Sequence, residues 1–174
     1  MAADTSNSLA DGMQPDGQEQ FGIQKVYVKD LSFEAPNAPQ IFMTQAPMNP
    51  RPPELELSYS TSEVAPNLHE VVLNITLTFK VDDKTAFIIE VKQAGIFVLM
   101  GFPKDRFDYM LNGVCPNALF PYARETVTDI STRGGFQPFF LPAINFEAMY
   151  MQHLSQAQAK KQPVDTSQIK ITLN

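Results

Sequence analysis

Residues 68–91, LHEVVLNITLTFKVDDKTAFIIEV, decide the fold because apolar and polar residues alternate on both sides of the Asp82-Asp83 pair. A period of two is typical of a β-strand that buries one face. Residues directly opposite each other in an antiparallel hairpin share a face, so odd-numbered positions should pair with odd-numbered ones. The pattern therefore predicts two neighbouring antiparallel strands joined by a loop of three or five residues. Their apolar faces comprise Val71, Leu73, Ile75, Leu77, Phe79 and Val81, and Phe87, Ile89 and Val91.

Two further strands are predicted upstream of this hairpin. Residues 54–62 alternate in the same way, with Leu55, Leu57 and Tyr59 on one face. Residues 21–33 place one apolar set on one face and a set ending in acids on the other. These sets are Phe21, Ile23, Tyr27, Leu31 and Phe33, and Val26, Val28, Asp30, Ser32 and Glu34.

The segment between these two strands, residues 35–53, is predicted to be a long loop because it contains six prolines. It carries the apolar triplet Ile41, Phe42 and Met43. Such a triplet is either packed onto the body of the protein or kept available for a ligand.

Helices are predicted after the strands. Residues 104–112 suggest a short helix stopped by Gly113, and a longer helix follows with Pro116 in its first turn and a left-handed end at Gly134. Asn145 should cap a short last helix. The expected fold is α+β, a four-stranded antiparallel meander sheet with a long helix and a short C-terminal helix.

Charge and composition bound the class of protein. The 174 residues carry a formal charge of −6, which disfavours nucleic acid and anionic membrane surfaces as partners. Residues 1–20 are expected to be a disordered acidic tail, 21–154 one domain, and 155–174 a mobile tail. No secretory signal, membrane span or cysteine pair is recognised, so we expect a cytoplasmic protein.

The titratable residues do not suggest an active site. The sequence has no phosphate loop, nucleophile elbow or metal-ligand spacing, so no catalytic residue, metal or cofactor is expected. His69, on the polar face of the third strand, and His153 are interpreted as surface residues. Cys115 at a helix start could be an activated thiol, but beside Leu119 it is better interpreted as a small buried hydrophobe.

The apolar content exceeds what one sheet of this size can cover. The chain has 13 Phe and 8 Met, residue types that suit adaptable contact with many apolar partners. The excess predicts self-association, a groove for apolar partners, or both.

Two long segments resemble the signatures of the SecB family. Residues 29–39, KDLSFEAPNAP, are similar to its opening signature, and residues 115–125, CPNALFPYARE, to its helix signature. Residues 85–97 and 142–146 extend the resemblance over roughly residues 21–154. The resemblance implies an ATP-independent holdase that keeps non-native precursor proteins translocation-competent and delivers them to the SecA motor ATPase. It also implies a homotetramer, a dimer of dimers whose long helices lie between two sheets.

The same resemblance implies two binding surfaces. Clients would bind in grooves beside the Pro-rich loop and the last helix, at Phe33, Ile41, Phe42, Met43, Phe97, Leu99, Leu141, Phe146, Met149 and Tyr150. The motor would bind an acidic outer sheet face at Asp30, Glu34, Ile88 and Glu90. Family members often have an acidic tail that also contacts the motor, whereas residues 155–174 contain three Lys and one Asp.

Two other functions have distinct signatures. A carrier of a small apolar ligand would show one enclosed pocket and bind one molecule per chain. An enzyme would need a cluster of titratable groups, which the sequence does not suggest.

Overall fold

The computed structural model describes residues 18–43, 51–160 and 168–173. The strands are β1 (Gln20–Glu34), β2 (Glu54–Ala65), β3 (Leu68–Val81), β4 (Lys84–Met100) and β5 (Gln168–Leu173). The helices are the single turn α1 (Gln40–Met43), then α2 (Lys104–Tyr109), α3 (Cys115–Arg133) and α4 (Phe146–Lys160), with a π-helical turn at Met110–Val114.

The sheet has the strand order β1-β4-β3-β2-β5, and all neighbours are antiparallel. The α+β class and the four antiparallel strands between residues 20 and 100 are therefore confirmed. The predicted meander holds for β2, β3 and β4 but is wrong for β1, which pairs with β4. The segment between β1 and β2 carries the chain across the sheet, so we call residues 35–53 the crossover segment.

The register of the β3–β4 hairpin follows the odd-to-odd prediction, with Leu77 opposite Ile89 and Ile75 opposite Val91. The predicted loop length is wrong, because Val81 pairs with Lys84 across a two-residue turn. Asp82 and Asp83 in this turn have φ values of 50° and 63°. The register shifts by one residue beyond Phe79, since Phe79 lies opposite Phe87 but Lys80 lies opposite Thr85. This shift makes the two-residue turn compatible with odd-to-odd pairing along the rest of the hairpin.

The faces of β1 differ from the prediction because two register shifts interrupt its alternation, between Ile23 and Lys25 and between Val28 and Asp30. Val26 consequently lies opposite Gly95 and packs against the core. Tyr27 lies on the outer face instead, where its hydroxyl donates a hydrogen bond to Glu70.

The core lies between the inner face of the sheet and α3. Its fully buried side chains include Leu73, Ile75 and Leu77 from β3 and Leu119 from α3. His69 belongs to this face, against the prediction of a surface residue, and its ring meets Phe107 edge-on with centroids 5.0 Å apart. Its odd number places it in register with the apolar residues of β3.

The predicted helix stop at Gly113 is wrong, whereas the stop at Gly134 is confirmed in position but not in conformation, because α3 ends at Arg133 with Gly134 as its C-cap. Gly113 lies inside the π turn, and a Cβ there would come within 3.3 Å of the Glu147 Cα. Gly134 has a right-handed φ of −69°, whereas Gly135 takes the left-handed φ of 85°. At both predicted stops glycine permits a close approach of another element.

The last helix begins as predicted, with the Ala148 amide donating to the Asn145 Oδ1 at 3.0 Å. It is longer than expected, because it continues to Lys160. Residues 168–173 form β5 on the free edge of β2. The mobile tail at residues 155–174 stays a prediction. Residues 1–17 lie outside the described residues.

Candidate functional site

The candidate site is an apolar groove where the crossover segment, the β3–β4 hairpin and the loop after α3 meet. Its volume is about 530 Å³. We call it the crossover groove, and its lining residues are Ile41, Phe42, Phe79, Val81, Phe87, Gly135, Phe136, Gln137, Pro138 and Phe139.

Aromatic rings form most of the wall. The Phe136 ring lies at the centre, with its centroid 4.9 Å from those of both Phe42 and Phe87. Phe79 stacks on Phe87 at 5.2 Å and meets Phe139 edge-on at 6.0 Å. Stacked and tilted ring pairs of this kind are favourable over a range of ring positions, so the wall can adapt to different apolar shapes.

Hydrogen bonds hold the loop after α3 in place. The Phe139 amide donates to the Ser131 Oγ at 3.1 Å, and the Thr128 Oγ1 donates to the Phe139 carbonyl at 2.9 Å. Satisfied backbone groups let this apolar loop lie against the body of the protein.

The crossover segment is anchored at its base by Asn37, whose Nδ2 donates to the Thr85 carbonyl at 2.9 Å. The α1 turn beyond it buries Ile41 but leaves Phe42 47% and Met43 74% exposed. One residue of the triplet therefore packs inward, and two remain open to solvent.

The predicted client residues separate into two groups. Phe33, Phe42, Met43 and Met149 keep exposed surface. The other six are buried in the described chain, which argues against direct client contact through them in this conformation. They are Ile41, Phe97, Leu99, Leu141, Phe146 and Tyr150.

The four predicted motor-binding residues lie together on the outer face of the β1–β4 pair. Glu34 lies opposite Ile88, Ser32 lies opposite Glu90, and Asp30 lies opposite Lys92. The Lys92 Nζ forms an ion pair with the Asp30 Oδ2, 3.2 Å away. These positions form one continuous patch, which we call the outer acidic patch.

A polar cluster on the same outer face links β1 to β3. The Lys29 Nζ lies 2.7 Å from the Glu70 Oε2, and the Tyr27 hydroxyl donates to the Glu70 Oε1. Hydrogen bonds from Lys29 and then Tyr27 lower the pKa of Glu70. The same bond to Glu70, assisted by desolvation, raises the pKa of Tyr27 to about 12.

Cys115, the candidate thiol, is buried in the described chain. Burial raises the pKa of the Cys115 thiol, which opposes the activated-thiol reading. Within the described ranges, no three His, Cys, Asp or Glu side chains come together as metal ligands would.

A helix that crosses a membrane must be both long and apolar. No helix in the described part of the chain meets both conditions.

Sequence reasoning found the crossover triplet but missed the residues that face it: Phe79, Phe87, Phe136 and Phe139. Two of these lie in strands, where their alternation indicated only core. The loop at residues 135–142, GFQPFFLP, carried a usable signal in its three phenylalanines between prolines and glycine.

Comparisons with known proteins agree over most of the chain. Residues 14–157 match the family described as preprotein translocase subunit SecB. The protein-export protein SecB of Nitrosococcus oceani is 47% identical over 159 residues, 91% of this chain and 95% of that protein. That of Methylobacillus flagellatus is 50% identical over 144 residues, covering 82% and 88% of the two chains.

One solved structure shares the fold. It is a SecB-like chaperone of Mycobacterium tuberculosis in complex with a peptide from an antitoxin, with a TM-score of 0.54 and 18% identity. The match covers 71% of this chain and 90% of that one.

Proposed function

The chain belongs to the SecB family of protein-export chaperones, and from that premise we propose that it is an ATP-independent cytoplasmic holdase. It binds non-native precursor proteins in the crossover groove and keeps them competent for translocation. The observation that carries this proposal is the open aromatic wall around Phe136, bordered by the exposed side chains of Phe42 and Met43.

The groove suits weak, sequence-tolerant binding. Burying one large apolar side chain contributes about 1.5–3 kcal/mol, so two or three client side chains would give modest affinity at each site. Phe and Met side chains adapt to different partners. Apolar burial also needs no nucleotide, which agrees with the lack of a phosphate loop in the sequence.

The edge strand β1 supports the proposed dimer of dimers. In the described part of the chain its outer edge pairs with no strand, although β1 runs for 15 residues. Four of its apolar side chains, Phe21, Ile23, Val28 and Leu31, are each 38–47% exposed. A long unprotected edge with exposed apolar residues favours pairing with a second copy. Several grooves on one assembly would then supply avidity.

The outer acidic patch is the proposed surface for SecA. Its residues lie on the side of the sheet opposite the core, whereas the crossover groove lies against the core. Two separate surfaces allow client and motor to bind at the same time, as delivery requires.

Capture of an unfolded chain tests the function. The full chain is mixed, without ATP, with a reduced, permanently unfolded precursor and separately with its folded form, and the native masses are measured. A tetramer that captures only the unfolded form is expected. A protein that ignores both forms, or that binds one small apolar molecule per chain instead, would contradict the holdase.

A further inference from the structure

A second depression, separate from the crossover groove, lies between α2 and α4. Its volume is about 600 Å³. We call it the α2–α4 cleft, and its lining residues are Asp105, Arg106, Tyr109, Tyr150, Met151 and Leu154. It shares no lining residue with the crossover groove, so it is a surface of its own.

Side-chain contacts between the two helices hold this cleft in shape. The Tyr109 hydroxyl donates a hydrogen bond to Glu147 of α4, and the ring centroids of Tyr109 and Tyr150 are 6.3 Å apart. Met151 beside them is 56% exposed. A preformed recess with an uncovered apolar side chain favours an apolar occupant.

The chain enters the described structure at the mouth of this cleft. Gln18 lies against the link between β4 and α2, since a Cβ built on Gly101 would come within 2.7 Å of the Gln18 carbonyl oxygen. The Oε2 of the next residue, Glu19, lies 2.8 Å from the Nη1 of Arg106, which lines the cleft. The segment that precedes Gln18 therefore starts beside the cleft.

This preceding segment contains an apolar pair within reach of the cleft. Residues 9–13 read LADGM, and Leu9 and Met13 are their large apolar side chains. In an extended chain Met13 can lie roughly 20 Å from Glu19, and Leu9 about 33 Å. The α4 side of the cleft, from Tyr150 to Leu154, is only about 6 Å long. Both side chains can therefore reach it, and so short a tether gives an effective concentration on the order of millimolar.

We propose that residues 9–13 dock in the α2–α4 cleft of their own subunit and screen the apolar surface of α4 from clients. α4 carries three of the predicted client residues, Phe146, Met149 and Tyr150. A tethered segment covers this helix between encounters, and a client that also contacts another part of the protein displaces it. The screening rests on the proposed holdase function, whereas the docking does not.

Disulfide formation tests the docking. In the full chain, Met13→Cys combined with Met151→Cys should form a disulfide within one subunit under mild oxidation. Met13→Cys combined with Gln152→Cys is the matched control, because Gln152 is the next residue of α4, is exposed and does not line the cleft. Its disulfide yield should be several-fold lower. Cys115 is buried away from this chemistry.

Affinity for an unfolded polypeptide tests the screening. Leu9→Ser with Met13→Ser removes the apolar pair from the full chain. Binding of a fluorescent, permanently unfolded polypeptide should tighten roughly threefold, as expected if about two thirds of the clefts are occupied in the parent chain. Asn7→Ser with Gln14→Ser changes polar residues of the same segment and should leave the affinity unchanged.

Equal disulfide yields from positions 151 and 152 would overturn the docking. Disulfides found only between subunits would also overturn it, because the occupant would then come from a second copy of the chain. Equal affinity of the two serine variants would overturn the screening and leave the holdase function intact. Absence of binding by every form would instead reject the holdase function and the screening with it, while the disulfide yields would still decide the docking.

Discussion

Gly134 determines how closely the end of α3 approaches β1. A Cβ built on it would lie 2.1 Å from the Cζ of Phe33, while its φ of −69° would suit any residue. The space is therefore limited by the Phe33 ring and not by the backbone. The ring centroids of Phe33 and Phe136 are 6.4 Å apart. Phe33 therefore links β1 to the wall of the crossover groove.

Gly134→Ala is expected to destabilise the protein by about 1–3 kcal/mol because the Phe33 ring must move out of a packed position. The measurement is the urea midpoint at unchanged m value. Gly22→Ala is the control, since its Cβ would meet only Val98 at 4.0 Å. In a Phe33→Leu background the cost should fall, and an undiminished cost would show that the ring is not its cause.

Glu70 makes the stability of the outer face depend on pH. Hydrogen bonds from Lys29 and Tyr27 hold its folded pKa below its ordinary value of 4.5. Its stabilising contribution is therefore present above pH 4.5 and is lost as the pH falls through the lowered folded pKa.

Glu70→Gln should cost about 1 kcal/mol at pH 7, a modest value because the Lys29 side chain is 46% exposed and its ion pair is screened by solvent. The difference from the parent chain should shrink progressively below pH 4.5. Chemical unfolding at a series of pH values measures it, with Glu63→Gln at an exposed position of β2 as the control. Parallel stability curves for the parent chain and Glu70→Gln would contradict this account.

At the scale of elements, the β3–β4 hairpin shows how far periodicity reaches. Alternation predicts the odd-to-odd pairing correctly because one buried face strongly constrains the register. It cannot predict the loop length, because an irregularity beyond Phe79 shifts the register by one residue without changing which residues are apolar. The two shifts in β1 misassign Tyr27 and Val26 for the same reason.

Periodicity predicts neither the pairing of β1 with β4 nor the complete wall of the crossover groove. They depend on where the crossover segment delivers the chain, and a strand's own pattern does not contain that information. The Ile41–Met43 triplet is visible locally, but Phe87 and Phe136 are 49 residues apart in number and meet only after folding.

The turn of the β3–β4 hairpin can be made more stable by substitution. Asp82 and Asp83 both have positive φ, as in a type I′ turn, for which Asn-Gly is preferred. Asp82→Asn with Asp83→Gly should therefore stabilise the protein by about 0.5–1 kcal/mol, measured by thermal or urea unfolding.

The change also removes an exposed ion pair between Arg51 and Asp83, 2.9 Å apart. The Arg51→Ala variant alone measures the small loss of stability that results from removing this ion pair. If the doubly substituted turn were less stable than Arg51→Ala, the type I′ geometry would be wrong.

For the whole molecule, two functions require two surfaces that can be separated by substitution. Reversing Asp30 and Glu90 to Lys should weaken SecA binding by roughly tenfold or more, since the patch would repel a basic partner, while client binding should be unchanged. Binding of SecA and of an unfolded polypeptide to the same variant measures both, and the loss should diminish at high salt.

Glu63→Lys is the control, because it makes the same kind of charge reversal at an exposed site outside the patch. Equal loss of SecA and client binding in the patch variant would refute the separation. An equal loss of SecA binding in the Glu63→Lys variant would also refute it.

The central claim is that unfolded chains contact the crossover groove, and site-specific photo-crosslinking tests it directly. A photoreactive phenylalanine analogue replaces Phe42 at the rim of the groove, or the exposed Val64 outside it, in the full chain. We predict crosslinks from position 42 to an unfolded precursor and none to its folded form, with few from position 64. Equal crosslinking from both positions, or none from position 42, would contradict the account.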